Sequence, residues 1–347
     1  MIIVHIESGL GNQMLSYCEL LALRYMNPLE DIYIENMIYD IPECNEVICQ
    51  WNGYELEKIF GIRARNVKEL FSDVEWEKIM SEVRESRFWE RNWNYPVYIT
   101  NALNNAGLNL KNIRGDFETN GHANLSSYNK HEWRTKFVRS KLGSQIKRMV
   151  YYVAQDHYCK TNKNVFLKAN DNIFTGQWLS LKNRNQKREL IDVEIRKAFV
   201  FPDFVDEKNI STKQLLSEIE SVAIHARRGD MLSRNGWCYE HGYFRRAVKL
   251  IRKKVSNPVF VFFTDTGSIN WCKENPHIFG LDFKRDVIHF VDWNKGEQSF
   301  RDMQLMSFCK HAIITESSFG WWGAYFIDNP SKITISPYIN IDTTYHC

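Results

Sequence analysis

The sequence has no apolar run near the roughly 18 residues needed to span a bilayer. Its start, Met1 to Ile6 and then a turn at Gly9, lacks the basic opening, long apolar stretch and small-residue cleavage site of a secretory leader. The expectation is a cytoplasmic protein, with peripheral membrane association left open. No excess of one charge is present either: 45 Lys and Arg face 42 Asp and Glu, a net charge of +3. That balance projects no broad field toward nucleic acid, and leaves local basic sites suited to a phosphate. The eight cysteines (Cys18, Cys44, Cys49, Cys159, Cys238, Cys272, Cys309, Cys347) form no CxxC pair and no tight Cys/His cluster. Reduced thiols fit this spread better than a disulfide frame or a zinc site. No two aspartates stand two residues apart, so the usual Asp-x-Asp grip on a divalent metal beside a diphosphate is missing. Repeats of 20–50 residues and low-complexity tracts are absent. The triplets Asn124-Leu125-Ser126 and Asn209-Ile210-Ser211 match a glycosylation acceptor, a pattern common by chance.

What is present is a large apolar content, 44% hydrophobic and 14% aromatic over 347 residues, enough for two domains. The boundary is placed at 205/206. Near the start, Ile2 to Ile6 reads as a strand, Ser8-Gly9-Leu10-Gly11 as a turn, and Leu15, Cys18, Leu21, Ala22 and Tyr25 as one face of a helix. Asp31 to Ile34 reads as a second strand, and Glu55 to Ile62 and Val74 to Val83 as short helices. From Ser221 the pattern becomes regular. Strands are expected at 222–225, 259–263, 287–291, 312–315 and 333–336, with helices at 243–255, 269–274, 298–309 and 321–327. Apolar, β-branched runs alternating with helices imply an α/β domain built on a parallel sheet with helices on both faces.

In such sheets ligands bind beyond the carboxyl ends of the strands. Three of these ends are chemically unusual: His225-Ala226-Arg227-Arg228-Gly229-Asp230, Thr264-Asp265-Thr266-Gly267-Ser268, and Thr315-Glu316-Ser317-Ser318-Phe319-Gly320. Guanidinium groups, hydroxyls and the amides of a helix start could together wrap a diphosphate. Arg227 and Arg228 offer permanent charge and bidentate contacts, each charge-assisted hydrogen bond contributing about 1.5–3 kcal/mol. Adjacent arginines also commonly pair with surface carboxylates. Ser317 and Ser318 could equally be ordinary helix caps, and His225 a satisfied core histidine. Asp302, early in a helix, is either a favourable first-turn acid or a carboxylate that accepts from the N1 and N2 hydrogens of guanine. Gly9-Leu10-Gly11-Asn12-Gln13-Met14 resembles the start of a dinucleotide fingerprint, with Met14 in the place of the third glycine. Either it is a tight strand-to-helix turn, or it is a loop that brings Gly11, Asn12 and backbone amides to a ligand.

Taken together these segments resemble glycosyltransferase family 11, the α-1,2-fucosyltransferases. Gly9–Met14 is similar to that family's opening loop, Tyr54–Phe60 to its next segment, and Ile195–Pro202 to the stretch before its catalytic domain. His225–Asp230 and Asp302–Gly323 resemble its two long signatures. The resemblance implies a GT-B architecture of two Rossmann-like domains facing a cleft, with residues 1–205 on the acceptor side and 206–347 binding GDP-fucose. It implies a metal-independent, inverting transfer of fucose to a galactoside-type oligosaccharide or lipid-linked glycan, without any cofactor. Arg227 would hold the β-phosphate, His225 and Asp302 the guanosine, and Ser317, Ser318 and Phe319 would line the diphosphate, with Arg228, Asp265, Gly11 and Asn12 also among the binding residues. Asp230 is the first candidate for a general base, with Glu7 and Glu118 as others.

The chain departs from the family at Ser8, a usual glycine, and at Glu316, a usual asparagine beside the diphosphate. Gly176-Gln177-Trp178-Leu179-Ser180 replaces a GYWQS segment, and the stretch from Asn66 to Asn172 is longer than in compact bacterial members. Rival expectations are a protein O-fucosyltransferase, an enzyme using another GDP-sugar, and a non-catalytic GDP- or glycan-binding protein on the same scaffold.

Overall fold

Short apolar runs alternating with amphipathic segments build two separate parallel sheets. The computed structural model describes residues 1–44, 52–91, 95–113, 165–176, 186–338 and 341–347, with 142, 143 and 146. Glu118, Asn124–Ser126, Gln177–Ser180, Cys49 and Cys159 lie outside the described residues.

The first unit reaches Pro202. Its strands are β1 (Ile2–His5), β2 (Ile32–Glu35), β3 (Lys111–Asn112) and β4 (Ile173–Thr175), in the order β2-β1-β4-β3 and all parallel. Parallel strands are covered on both faces, and β1, β2 and β4 are accordingly buried at every position. Helix Leu10–Met26 follows β1 directly. Helix Asp73–Glu85 starts at a reciprocal capping box, Ser72 with Glu75, and turns Trp76, Ile79, Met80 and Val83 into the core around Phe88 and Phe174. The cap contributes about 1 kcal/mol and each fully buried large apolar side chain about 1.5–3 kcal/mol.

The second unit runs from Asp203 to the C-terminus. Its six strands are β5 (Ser221–Ala226), β6 (Val259–Thr264), β7 (Ile288–Val291), β8 (His311–Ile314), β9 (Thr334–Ser336) and β10 (Tyr345–His346). All pairings are parallel, in the order β10-β9-β8-β5-β6-β7. The five expected strands are present, and β10 is a short sixth. Two further differences concern helices. Leu232–Glu240, directly after the arginine loop, is helical although its composition (Ser233, Asn235, Gly236) favours a turn, because Trp237, Cys238 and Tyr239 are buried in the core, the two rings against Tyr243, Phe244 and Phe279. The last expected helix starts at Ser318, three residues before the expected start at 321.

The chain lays down β5, β6 and β7 in one direction, then returns to place β8 on the other side of β5. The strand order therefore reverses between β5 and β8, the position at which open parallel sheets leave a crevice for ligands. Among the described residues no helix is long and apolar enough to cross a membrane.

Candidate functional site

The residues after β5 and after β8 meet at this reversal. Thr315, buried at the end of β8, donates its hydroxyl to the His225 carbonyl at 3.2 Å and accepts the Arg227 amide at 3.2 Å. The arginine loop thus starts from a fixed point. On its other flank lies Asp265, at the end of β6. The Asp265 carboxylate accepts the amides of Arg228 (2.6 Å) and Gly229 (2.9 Å) and the Ser268 hydroxyl (2.6 Å). A Cβ at position 229 would stand 2.9 Å from an Asp265 oxygen, so a side chain there would push that carboxylate off the amides it accepts from. Asp265, expected as a ligand contact, is engaged in holding this loop.

The two arginines have different surroundings. The Arg228 guanidinium lies over the Trp271 ring, 3.4 Å from its centroid, and 4.9 Å from that of Tyr239. Such a contact contributes about 0.5–2 kcal/mol and fixes the side chain as packing. Arg227 instead reaches Asp230, Nη2 to Oδ1 3.0 Å, at the partly open side of the loop. Asp230, expected as a base, rests against this cation.

His225 is buried and stacked on Phe319, with ring centroids 5.7 Å apart. Burial, and then the Arg227 charge, push it down to about 3, so it is neutral across the physiological range. Its Nδ1 is buried without a hydrogen-bond partner. Gly320 packs onto the same ring: a Cβ there would fall 2.4 Å from Nδ1.

Ser317 precedes helix Ser318–Phe326 in extended conformation, and its side chain makes no capping bond. The ordinary-cap reading of Ser317 is thereby replaced: its hydroxyl is not committed to the helix, whose first turn carries the positive end of the helix dipole. Glu316 is half-buried and is held through its backbone. Its amide donates to Asn235 Oδ1 (3.0 Å) and its carbonyl accepts from Asn235 Nδ2 (3.3 Å).

Asp302 lies in helix Phe300–Ser307, which packs on helix Ser318–Phe326. Gly323 allows that approach, since a Cβ there would meet Met306 at 2.8 Å. The Asp302 carboxyl is 8% exposed and accepts from Asn294 Nδ2 at 2.8 Å. Burial raises it to about 7 against the opposing effect of that hydrogen bond, with Asp292 adding to the rise. Asn294 is in turn bound to Asn209, which also accepts from Trp293 Nε1. This polar string was not found from the sequence, because asparagines in loops carry no pattern.

Gly11 and Asn12 belong to the first unit. They lie in the opening turn of helix Leu10–Met26, the tight strand-to-helix turn of the two readings and not a loop. The sharp entry is made by Ser8, in the left-handed region at φ 66° where glycine is most easily accommodated. Gln13 and Tyr39 hold Ser8 in place by donating to its carbonyl at 2.9 and 2.6 Å. Glu7 is 5% exposed, with an oxygen 3.8 Å from His5 Nε2. His5 also pairs with Glu35, and despite its burial is raised by these two carboxylates.

Residues 191–346 match the model of Glycosyl transferase family 11. An α-1,2-colitosyltransferase of Escherichia coli is 36% identical over 139 residues, 37% of this chain and 45% of that protein. The human galactoside α-(1,2)-fucosyltransferase 1 is 31% identical over 109 residues, 30% of this chain and 28% of that one. The chain therefore matches less than half the length of either relative. The fucosyltransferase NodZ from Bradyrhizobium aligns with 96% of this chain and 94% of its own at 11% identity and a TM-score of 0.44, a likeness too distant to bear on the site. The arginine loop, Asp302 and the serine-bearing helix all fall inside residues 191–346, the segment that is similar to glycosyltransferase family 11.

Proposed function

We propose that the chain transfers fucose from GDP-fucose to a hydroxyl of a galactoside-type glycan, forming an α-1,2 linkage with inversion and without a metal. The observation that carries this reading is the meeting, where the strand order reverses between β5 and β8, of the loop carrying Arg227 with the loop carrying Ser317 and the start of helix Ser318–Phe326, the two tied together through Thr315 and Asn235. In the reaction the acceptor oxygen forms a bond to the anomeric carbon while the bond from that carbon to the β-phosphate oxygen breaks. GDP leaves with the electron pair, and the acceptor proton passes to solvent or a carboxylate. Charge grows on the departing phosphate, and fixed donors aimed at it lower the barrier. Arg227 supplies the cation, exchanging Asp230 for the diphosphate. The first-turn amides and the serine hydroxyls supply dipoles. Asp302 accepts from guanine, and the neutral His225 with Phe319 forms an apolar wall beside it. The second unit takes the donor and the first unit the acceptor, as in a GT-B enzyme.

The 36% identity to a protein named as a colitosyltransferase favours a second reading in which the donor sugar is colitose. One experiment tests both: the protein is incubated with GDP-fucose or GDP-colitose and an array of β-galactosides, and products are read by mass spectrometry. A product linked 1,2 to galactose with fucose supports the first reading, and exclusive use of GDP-colitose supports the second. Absence of transfer from both donors, with GDP failing to bind, overturns the assignment.

A further inference from the structure

The geometry points to Asn235 as a positioning residue of the donor site: a buried carboxamide that locks the arginine loop to the serine loop. Helix Leu232–Glu240 carries it to the reversal point, where it is 0% exposed. Its Nδ2 donates to the Arg227 carbonyl and to the Glu316 carbonyl, each at 3.3 Å, and its Oδ1 accepts the Glu316 amide at 3.0 Å. Two carbonyls require donors and one amide requires an acceptor, so only one orientation of the carboxamide satisfies all three. Neither a hydroxyl nor a carboxylate of similar size offers two donors and an acceptor in that plane.

The consequence concerns both halves of the site. Arg227 is the residue whose guanidinium pairs with Asp230, and Glu316 immediately precedes Ser317 and the start of helix Ser318–Phe326. Strand pairing brings β5 and β8 together, but the paired register ends at His225 and Ile314. Beyond it, Thr315 supplies one link, and the Tyr239 hydroxyl holds the Arg227 carbonyl at 2.9 Å from one side only. Asn235 bridges the two loops directly. This gives position 316 a reason for its backbone geometry that is independent of its side chain. A donor-site cation and a helix start act jointly on one diphosphate only if their separation is fixed, since displacements near 1 Å can cost about 100-fold in rate.

The inference rests on the donor-site reading, and the test separates the two. GDP binding is measured by calorimetry on wild type, Asn235→Ala, Asn235→Asp and Tyr239→Phe, alongside thermal melting and steady-state kinetics with GDP-fucose. The expected result is at least a 10-fold rise in GDP Kd for Asn235→Ala and Asn235→Asp in protein that is still folded at the assay temperature. Donor KM rises in parallel, kcat falls further, and acceptor KM is unchanged. Tyr239→Phe keeps the ring beneath Arg228 and removes one bond to the Arg227 carbonyl, so it is expected to fold and to weaken GDP about 2- to 5-fold. If the Asn235 variants melt early yet their folded fraction binds GDP within 2-fold of wild type, the residue is merely structural and the inference is wrong. If they do not fold, Tyr239→Phe decides: wild-type affinity there overturns the inference. Failure of wild type itself to bind GDP would instead defeat the donor-site reading.

Discussion

Asp302 provides the sharpest quantitative expectation. Its carboxyl is raised to about 7 because it is buried beside Asp292 with Asn294 as its hydrogen-bond donor. A carboxyl that accepts from guanine N1 and N2 hydrogens must be ionised. With a pKa near 7 the ionised fraction is about 0.9 at pH 8 and about 0.1 at pH 6, so GDP affinity should fall about 10-fold, or about 1.4 kcal/mol, on acidification. At pH 7 binding should release about 0.5 proton from this group. The terminal phosphate of the nucleotide also titrates near this window, at about pH 6 for phosphate esters. The quantity to compare is therefore the difference between wild type and Asp302→Asn. That variant should show a weaker pH dependence, a GDP affinity lower by about 1.5–3 kcal/mol at pH 8, and little change toward UDP. Calorimetry in buffers of different ionisation enthalpy measures both affinity and proton release. Stability provides a second check with the opposite sign. A carboxyl raised above its unfolded value of 3.8 favours the folded state most at low pH, and this advantage is lost as pH rises through about 7. Ligand-free wild type should thus lose about 1.4 kcal/mol relative to Asp302→Asn between pH 6 and pH 8. An equal pH slope in both proteins, for binding or for melting, would refute the role given to this carboxyl.

Three other outcomes are expected. Arg227→Ala should abolish transfer while leaving the melting temperature near that of wild type, whereas Arg228→Ala, which removes the guanidinium packed on Trp271, should lower stability by about 0.5–2 kcal/mol; parallel melting and turnover measurements separate the two. Transfer should persist in EDTA, and a strict Mg²⁺ or Mn²⁺ requirement in that assay would call for a different leaving-group chemistry. Gly320→Ala should force a Cβ into the His225 ring, where 2.4 Å is available, costing about 1–3 kcal/mol and weakening GDP, as read by thermal melting and calorimetry.

Much of this protein follows from local pattern. Fully apolar runs such as Val222–Ile224 and Phe260–Phe263, alternating with helical segments, point to strands buried on both faces of a parallel sheet, so the α/β class was legible in the sequence, as were the strand ends carrying Arg227, Asp265 and Ser317. Pattern does not say which strands are neighbours. That β8 lies against β5, with β6 and β7 beyond, is a matter of long-range packing, and it alone brings a loop after residue 226 to one after residue 314. The same step separated the roles of chemically identical residues. Arg227 and Arg228 cannot be told apart by composition, but the curvature of the loop directs one to Asp230 and the other onto Trp271. Asp265 and Asp302 were both candidate ligand carboxylates; two backbone amides and the Ser268 hydroxyl committed the first to the loop, while the second, buried, accepts from the Asn294 side-chain amide. Asn235 had no signal at all, because its importance lies in two backbone segments 81 and 8 residues away. Periodicity is a property of neighbours along the chain and was therefore present in the sequence; which groups share a hydrogen bond across the sheet depends on the folded path, and only the tertiary structure decided it.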